Sequence, residues 1–231
     1  MATKIALIDY GIGNLRSVEK ALGAVGAEVT LTERAEEIFA AEKVVLPGVG
    51  AFGDGMAGLK ARGLDEVVRE VVARGTPLLG ICVGMQVLFE VGEELGVHEG
   101  LGLLPGRVRR FVGEGLKVPQ TGWNRVEFLG KGEKERGREG AEGGGEEEKR
   151  RKGAGEGGAN LLDGLPERSY AYFNHSYFCD AAEAGDVVGW TDYGGWYASV
   201  VGRGRLYGVQ FHPEKSQGVG LRILRNFVEK A

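Results

Sequence analysis

The stretch "PLLGICVGMQVLFE", residues 77–90, decides the fold. A proline and a short apolar run lead straight into Cys82, glycines stand two residues to either side, and an amphipathic segment follows at once. This is the pattern of a buried parallel strand turning sharply into a helix, G-x-C-x-G, with cysteine where the nucleophile elbow of hydrolases carries serine. Gly80 and Gly84 have no Cβ, so the turn can be tight and neighbouring backbone can come close. A side chain at such a turn stands at the carboxyl edge of the sheet, where open α/β sheets bind ligands. The N–H groups and positive end of the following helix favour a thiolate there. Read as packing alone, the same cysteine would be a small buried residue closing a strand.

Upstream of this stretch, strands and helices alternate. "KIALIDYG" predicts a buried strand over residues 4–9, and "NLRSVEKALGAVGA" an amphipathic helix with Leu15, Val18, Leu22 and Val25 at helical spacing. "EVTLT" and "KVVLPGVG" follow as strands, the second running into a glycine-rich loop, and helical patterns then extend to residue 74. Such alternation predicts βαβ units and a parallel sheet covered on both faces. From about residue 105 the pattern shifts to short strand-like pieces: "RVRRFV", "NRVEFL", "YAYFNHSYF", "DVVGWTDY", "WYASVVG" and "RLYGVQF". These predict antiparallel additions to the sheet or a small second sheet, and "GLRILRNFVEKA" closes the chain as an amphipathic helix.

Between the strand-like pieces lies "GKGEKERGREGAEGGGEEEKRRKGAGEGG", residues 130–158, built only of Gly, Glu, Lys, Arg and Ala. With nothing larger than alanine to bury, it cannot offset its ordering entropy and is expected to be a disordered insertion in a surface loop. Its eight acidic and eight basic residues cancel, which weakens any reading as a nucleic-acid arm.

Bulk composition narrows the class further. In 231 residues, 42% of them hydrophobic, there is material for one sizeable core, and the chain is expected to form a single domain over 1–231. The net charge of −4 gives no general attraction to nucleic acid. Two cysteines, Cys82 and Cys179, make no disulfide framework, and with only three histidines and no CxxC pair a structural zinc site is not expected. No signal-peptide h-region and no apolar run of about 18 residues is present, so a cytoplasmic protein that does not span a membrane is expected.

A thiolate needs a base, and "GVQFHPEKS", residues 208–216, offers one. His212 follows a strand pattern, Pro213 fixes φ, and Glu214 lies two residues on. If the segment is extended, residues i and i+2 share a side, and Glu214 reaches the imidazole as the third member of a triad does. His-Pro-Glu is equally good chemistry for a helix start. The loop "LPGVGAFGDGM", residues 46–56, places four glycines between Gly48 and Gly55 and can present backbone N–H groups to an anion. It is neither a P-loop nor a dinucleotide fingerprint, and "YGIGN", residues 10–14, lacks the third glycine of the latter.

In this order and spacing, "LPGVGAFGDGM", "PLLGICVGMQVLFE" and "VQFHPEKS" resemble the class I glutamine amidotransferases. "YGIGNLRSV", "TGWNRV", "FNHSYF" and "FHPEKS" resemble, more narrowly, the glutaminase subunits of imidazole glycerol phosphate synthase, an enzyme of histidine biosynthesis. The resemblance covers residues 4–128 and 160–230. It implies an α/β fold, an open, mostly parallel, flavodoxin-like sheet with helices on both faces and antiparallel strands in the C-terminal half. It implies a catalytic Cys82, His212 and Glu214, and an oxyanion hole from the backbone of Val83 and of Val49 or Gly50. It also implies an L-glutamine pocket drawing on Gly48, Gln86, His175, Ser176 and Tyr177, with no metal and no cofactor. The implied partner is a cyclase subunit, a (β/α)8 barrel that takes the ammonia, met in a heterodimer through Asn14, Trp123, Asn124 and Lys215. Two alternatives stay open: a glutaminase serving a different synthase, and a triad-bearing fold used as a non-catalytic regulatory subunit. Cys179 has no neighbouring acid or base motif and is expected to be structural.

Overall fold

The computed structural model describes residues 1–129 and 160–231. The low-complexity stretch 130–158 lies outside the described residues. Among the described residues no helix is long and apolar enough to cross a membrane.

The first half alternates as its periodicity predicts. Strand β1 (Lys4–Ile8) leads to α1 (Leu15–Ala24), β2 (Glu28–Thr32), α2 (Ala35–Ala40) and β3 (Lys43–Gly48). Helices α3 (Phe52–Ala61) and α4 (Leu64–Ala73) then precede β4 (Leu78–Cys82), α5 (Val83–Gln86), β5 (Phe89–Gly92) and β6 (His98–Glu99). The described residues of the second half are rich in strand: β7 (Leu104–Arg110), β8 (Gln120–Phe128), β9 (Arg168–His175), β10 (Tyr177–Ala181), β11 (Val187–Asp192), β12 (Trp196–Arg203) and β13 (Leu206–Val209). A 3-10 turn (Pro213–Lys215) and α6 (Gln217–Lys230) finish the chain.

All the strands among the described residues join one sheet, ordered β2-β1-β3-β4-β13-β12-β10-β7-β5-β6, with β11, β8 and β9 branching from β12. From β2 to β13 every pairing is parallel, and β3 and β4 are buried along their whole length. That dry environment explains why both read as continuous apolar runs rather than alternating ones. Helices α1 and α6 pack together, and α2 and α3 both pack on α4. Beyond β13 the pairings with β12, β10 and β7 are antiparallel.

The antiparallel additions join the main sheet rather than forming a second one. "YAYFNHSYF" is not one strand but two, β9 and β10, broken at Ser176. β9 pairs with β8 and β10 with β7, and the break lets the chain change partners. The amphipathic segment after Cys82 is not a long helix either. α5 is four residues long and wholly buried, and Phe89 already begins β5. Its apolar residues are spaced for burial all round, which a helical period imitates over so short a span.

Candidate active site

Cys82 sits where β4 ends and α5 begins, with φ 56° and ψ −113°. Positive φ on a non-glycine residue is strained, and here it turns the cysteine out of the strand at the carboxyl edge of the sheet. The chain can bend so sharply because of its glycines. A Cβ on Gly84 would stand 1.9 Å from the carbonyl oxygen of Leu46, and one on Gly80 would stand 2.6 Å from that of Gly84. A side chain at Gly84 would push α5 away from β3, and one at Gly80 would push α5 away from β4. Because α5 is only one turn, its macrodipole is small; what it offers an anion is the N–H of Val83, which has no acceptor within the helix.

His212 lies just past β13, the strand beside β4, so the sheet itself brings it to Cys82. Its backbone is held from two sides. The His212 N–H donates to Tyr172 O at 2.9 Å, and Ser216 Oγ donates to His212 O at 2.7 Å. The imidazole lies beside Cys82, whose influence raises its pKa, and meets Glu214 Oε1 with Nδ1 at 3.0 Å. Glu214 does not reach it from an extended segment. Pro213–Lys215 is a 3-10 turn with Pro213 at its start, so the helix-start reading of His-Pro-Glu holds in this short form, and the same turn brings Glu214 to the imidazole. The side chains of His212 and Glu214 are 4% and 1% exposed. Burial pulls the His212 pKa down, but the hydrogen bonds and negative charges of Cys82 and Glu214 outweigh it and hold it up at about 10. The imidazole therefore carries a proton at neutral pH. Glu214 Oε2 is buried and has no partner among the described residues.

The glycine-rich loop faces the cysteine. Gly48 is in register with Cys82 across β3 and β4, and Val49 and Gly50 follow at the exposed sheet edge. Their N–H groups meet no backbone acceptor among the described residues. Tyr10, fully buried, donates from Oη to Pro47 O at 2.6 Å and so pins the peptide where the loop begins.

Gln86 is buried beneath Cys82 with its amide nitrogen 3.0 Å from Tyr177 O and 3.2 Å from Gln210 Oε1. Only its oxygen remains to meet a ligand. His175 is brought near His212 but is built into the core. Its Nδ1 lies 2.8 Å from Tyr177 O and its Nε2 3.4 Å from Tyr197 Oη, and its ring packs against Phe111, Phe173 and Tyr197. Burial pulls its pKa down to about 3, against a small opposing effect of the Tyr177 carbonyl and with help from His212. It is no rival base, and the more accessible side chains of the His175–Tyr177 segment are those of Ser176 and Tyr177, both half-buried.

Of the residues linked to a partner, Trp123 is 45% exposed rather than core. It packs edge-on against Tyr172, with Lys215 Nζ 5.6 Å from the centroid of the same ring. This patch lies directly behind the His212–Tyr172 backbone bond. Asn124 is half-buried on β8, and Asn14 is exposed at the start of α1, a helix that packs on the Pro213–Lys215 turn. Leu129, before the low-complexity stretch, follows the Glu127–Arg168 end of the β8–β9 pair, seven register steps or about 23 Å from the Gln120–His175 end, and Asn160 and Leu161, after it, hydrogen-bond to α6.

Two residues at the site lie inside quoted motifs without having been assigned a part, Tyr10 and Gln210. Gln210 stands out as a polar residue inside the otherwise apolar strand pattern "LYGVQF", and Tyr10 opens "YGIGN".

The profile of the class-I glutamine amidotransferases matches residues 6–231, and the chain belongs to that family. It is 47% identical over 225 residues to the imidazole glycerol phosphate synthase subunit HisH of Moorella thermoacetica, covering 97% of this chain and 94% of that one. The subunit of the same name from Desulfitobacterium hafniense is 45% identical over 223 residues, covering 96% and 92%. The fold also matches a crystal structure of a glutamine amidotransferase with a TM-score of 0.67 at 19% identity, covering 97% of each chain.

Proposed function

We propose that this chain is the glutaminase subunit of an imidazole glycerol phosphate synthase and acts in histidine biosynthesis. The observation that carries the reading is the strained, glycine-enclosed Cys82 in contact with a buried His212 that Glu214 orients. Nearly full-length similarity to HisH subunits selects the synthase.

In this reading Cys82 Sγ attacks the side-chain carboxamide carbon of L-glutamine. The oxygen takes up the charge and is met by N–H groups of Val83 and of Val49 or Gly50. His212 gives its proton to the departing nitrogen, the C–N bond breaks, and ammonia leaves. His212 then takes a proton from water, which attacks the thioester and releases glutamate. Glu214 fixes the imidazole and offsets its charge throughout, as the acid of a triad does. Gly48, Gln86 and the His175–Tyr177 segment line the glutamine pocket.

The ammonia passes to a cyclase subunit, a (β/α)8 barrel, which docks on the Trp123, Tyr172 and Lys215 patch and on Asn14 and Asn124. Tyr172 joins that surface to His212 through one backbone hydrogen bond, so docking has a short route to the catalytic base. The test is glutamine hydrolysis by this chain alone, then with the cyclase and its nucleotide. Low activity alone and a large rise with both is the expected result. High activity alone removes the partner gating and keeps the glutaminase. No hydrolysis in either case by folded protein favours a non-catalytic subunit.

A further inference from the structure

Cys82 has a second polar neighbour, and its orientation is determined. Gln210 is fully buried two residues before His212. Its Nε2 lies 3.9 Å from Cys82 Sγ. Its Oε1 lies 3.2 Å from Gln86 Nε2 and 3.8 Å from Cys179 Sγ. Which end of an amide is nitrogen is settled by its partners. Here the settling partner is Tyr177 O, 3.0 Å from Gln86, because a backbone carbonyl can only accept. Gln86 must present its NH2 there, and the second hydrogen of that group points to Gln210. Gln210 must answer with oxygen, which leaves its own NH2 facing Cys82. Cys179 agrees with this polarity. Burial raises its pKa well above the usual thiol range, so it keeps its S–H and donates to the same oxygen.

The chain of bonds therefore runs one way and ends by giving Cys82 an N–H. A thiolate accepts such a donor well, whereas a neutral thiol is a weak acceptor. We propose that Gln210 is a further catalytic residue, donating to Cys82 Sγ and holding the thiolate ready, with its amide polarity set by Tyr177 O and Gln86 and supported by Cys179. The proposal rests on Cys82 being the nucleophile. In it the otherwise idle second cysteine anchors the amide and does not react.

The test is alkylation of Cys82 by iodoacetamide in the full chain across pH, followed by peptide mass spectrometry, alongside glutamine hydrolysis with the cyclase present. Labelling at buried Cys179 reports unfolding. Gln210→Met keeps the length and removes the donor. Alkylation at neutral pH is expected to slow about tenfold, with the midpoint of the pH profile moved upward. kcat falls in parallel while KM changes little. Slower hydrolysis with an unmoved alkylation profile means a merely structural role and overturns the proposal, while the nucleophile reading survives. If Gln210→Met does not fold, Cys179→Ala decides: it keeps the amide and removes one anchor. A shift of about threefold in the same direction supports the proposal, and an unmoved profile overturns it. A Cys82→Ala variant that still hydrolyses glutamine would remove the nucleophile itself, and the proposal with it.

Discussion

The parallel half of the sheet ends in His212 and the antiparallel half in His175, and the same side chain is held in opposite charge states in the two places. Both are buried, so desolvation disfavours the charged ring in each case. His212 stands between a thiol and a carboxylate, and those groups outweigh burial. His175 stands among aromatic rings, with a carbonyl and a phenol for polar company, and burial wins. Burial alone thus says little about a histidine's charge; its partners decide. The parallel half supplies such partners because adjacent parallel strands deliver their carboxyl ends, and the loops after them, to one edge.

The sharpest way to break this comparison is to remove each ring. His212→Asn is expected to lower glutamine hydrolysis by about a thousandfold or more with little change in thermal midpoint. His175→Asn is expected to cost chiefly stability, as a lower midpoint. Equal loss of turnover in both, with both midpoints unmoved, would erase the distinction.

The next test concerns rigidity. Gly84→Ala drives a Cβ against Leu46 O in the parallel half and should destabilise by about 3 kcal/mol or more in urea unfolding. Gly185→Ala, beside the antiparallel strand β11, meets nothing within 4 Å and should stay within about 0.5 kcal/mol of wild type. Comparable losses would mean that the elbow is not specially crowded.

Glu214→Gln keeps the shape of the His212 contact and removes its charge. A fall of about a hundredfold in kcat is expected, with the imidazole titrating lower by nitrogen NMR. In wild type the same spectra should show His212 protonated up to about pH 10 and His175 neutral down to about pH 3.

The most gradual effect is the dependence of stability on acid. The folded pKa of His175, about 3, lies below its ordinary value of 6.5. Between those values the unfolded chain binds a proton that the folded one refuses, so this stability is present above pH 6.5 and is lost as pH falls toward 3. The slope is up to about 1.4 kcal/mol per pH unit from this group. Urea midpoints for wild type and His175→Asn should converge as the pH drops through that window. Parallel curves would show that His175 is not the group responsible.

The alternation of strands and helices up to residue 74, the elbow at Cys82 and the approach of His212 were legible because each leaves a local mark: an apolar run, paired glycines, a proline beside a histidine. The single-turn α5 and the break at Ser176 were not. Four buried helical residues and a buried strand share one apolar pattern, and a change of strand partner leaves no trace in periodicity.

By itself the sequence determined the chemistry available to this protein: one cysteine at a glycine-flanked turn, one histidine beside an acid, and a glycine-rich loop. Those are properties of single short segments, set by sterics and residue type. Only the tertiary structure decided which groups those residues meet. That Gln210 turns its amide toward Cys82, that Cys179 steadies it, and that His175 is sealed among rings all depend on bonds between strands far apart in the chain. Hydrogen-bond polarity and desolvation are set by neighbours in space, and no local pattern carries them.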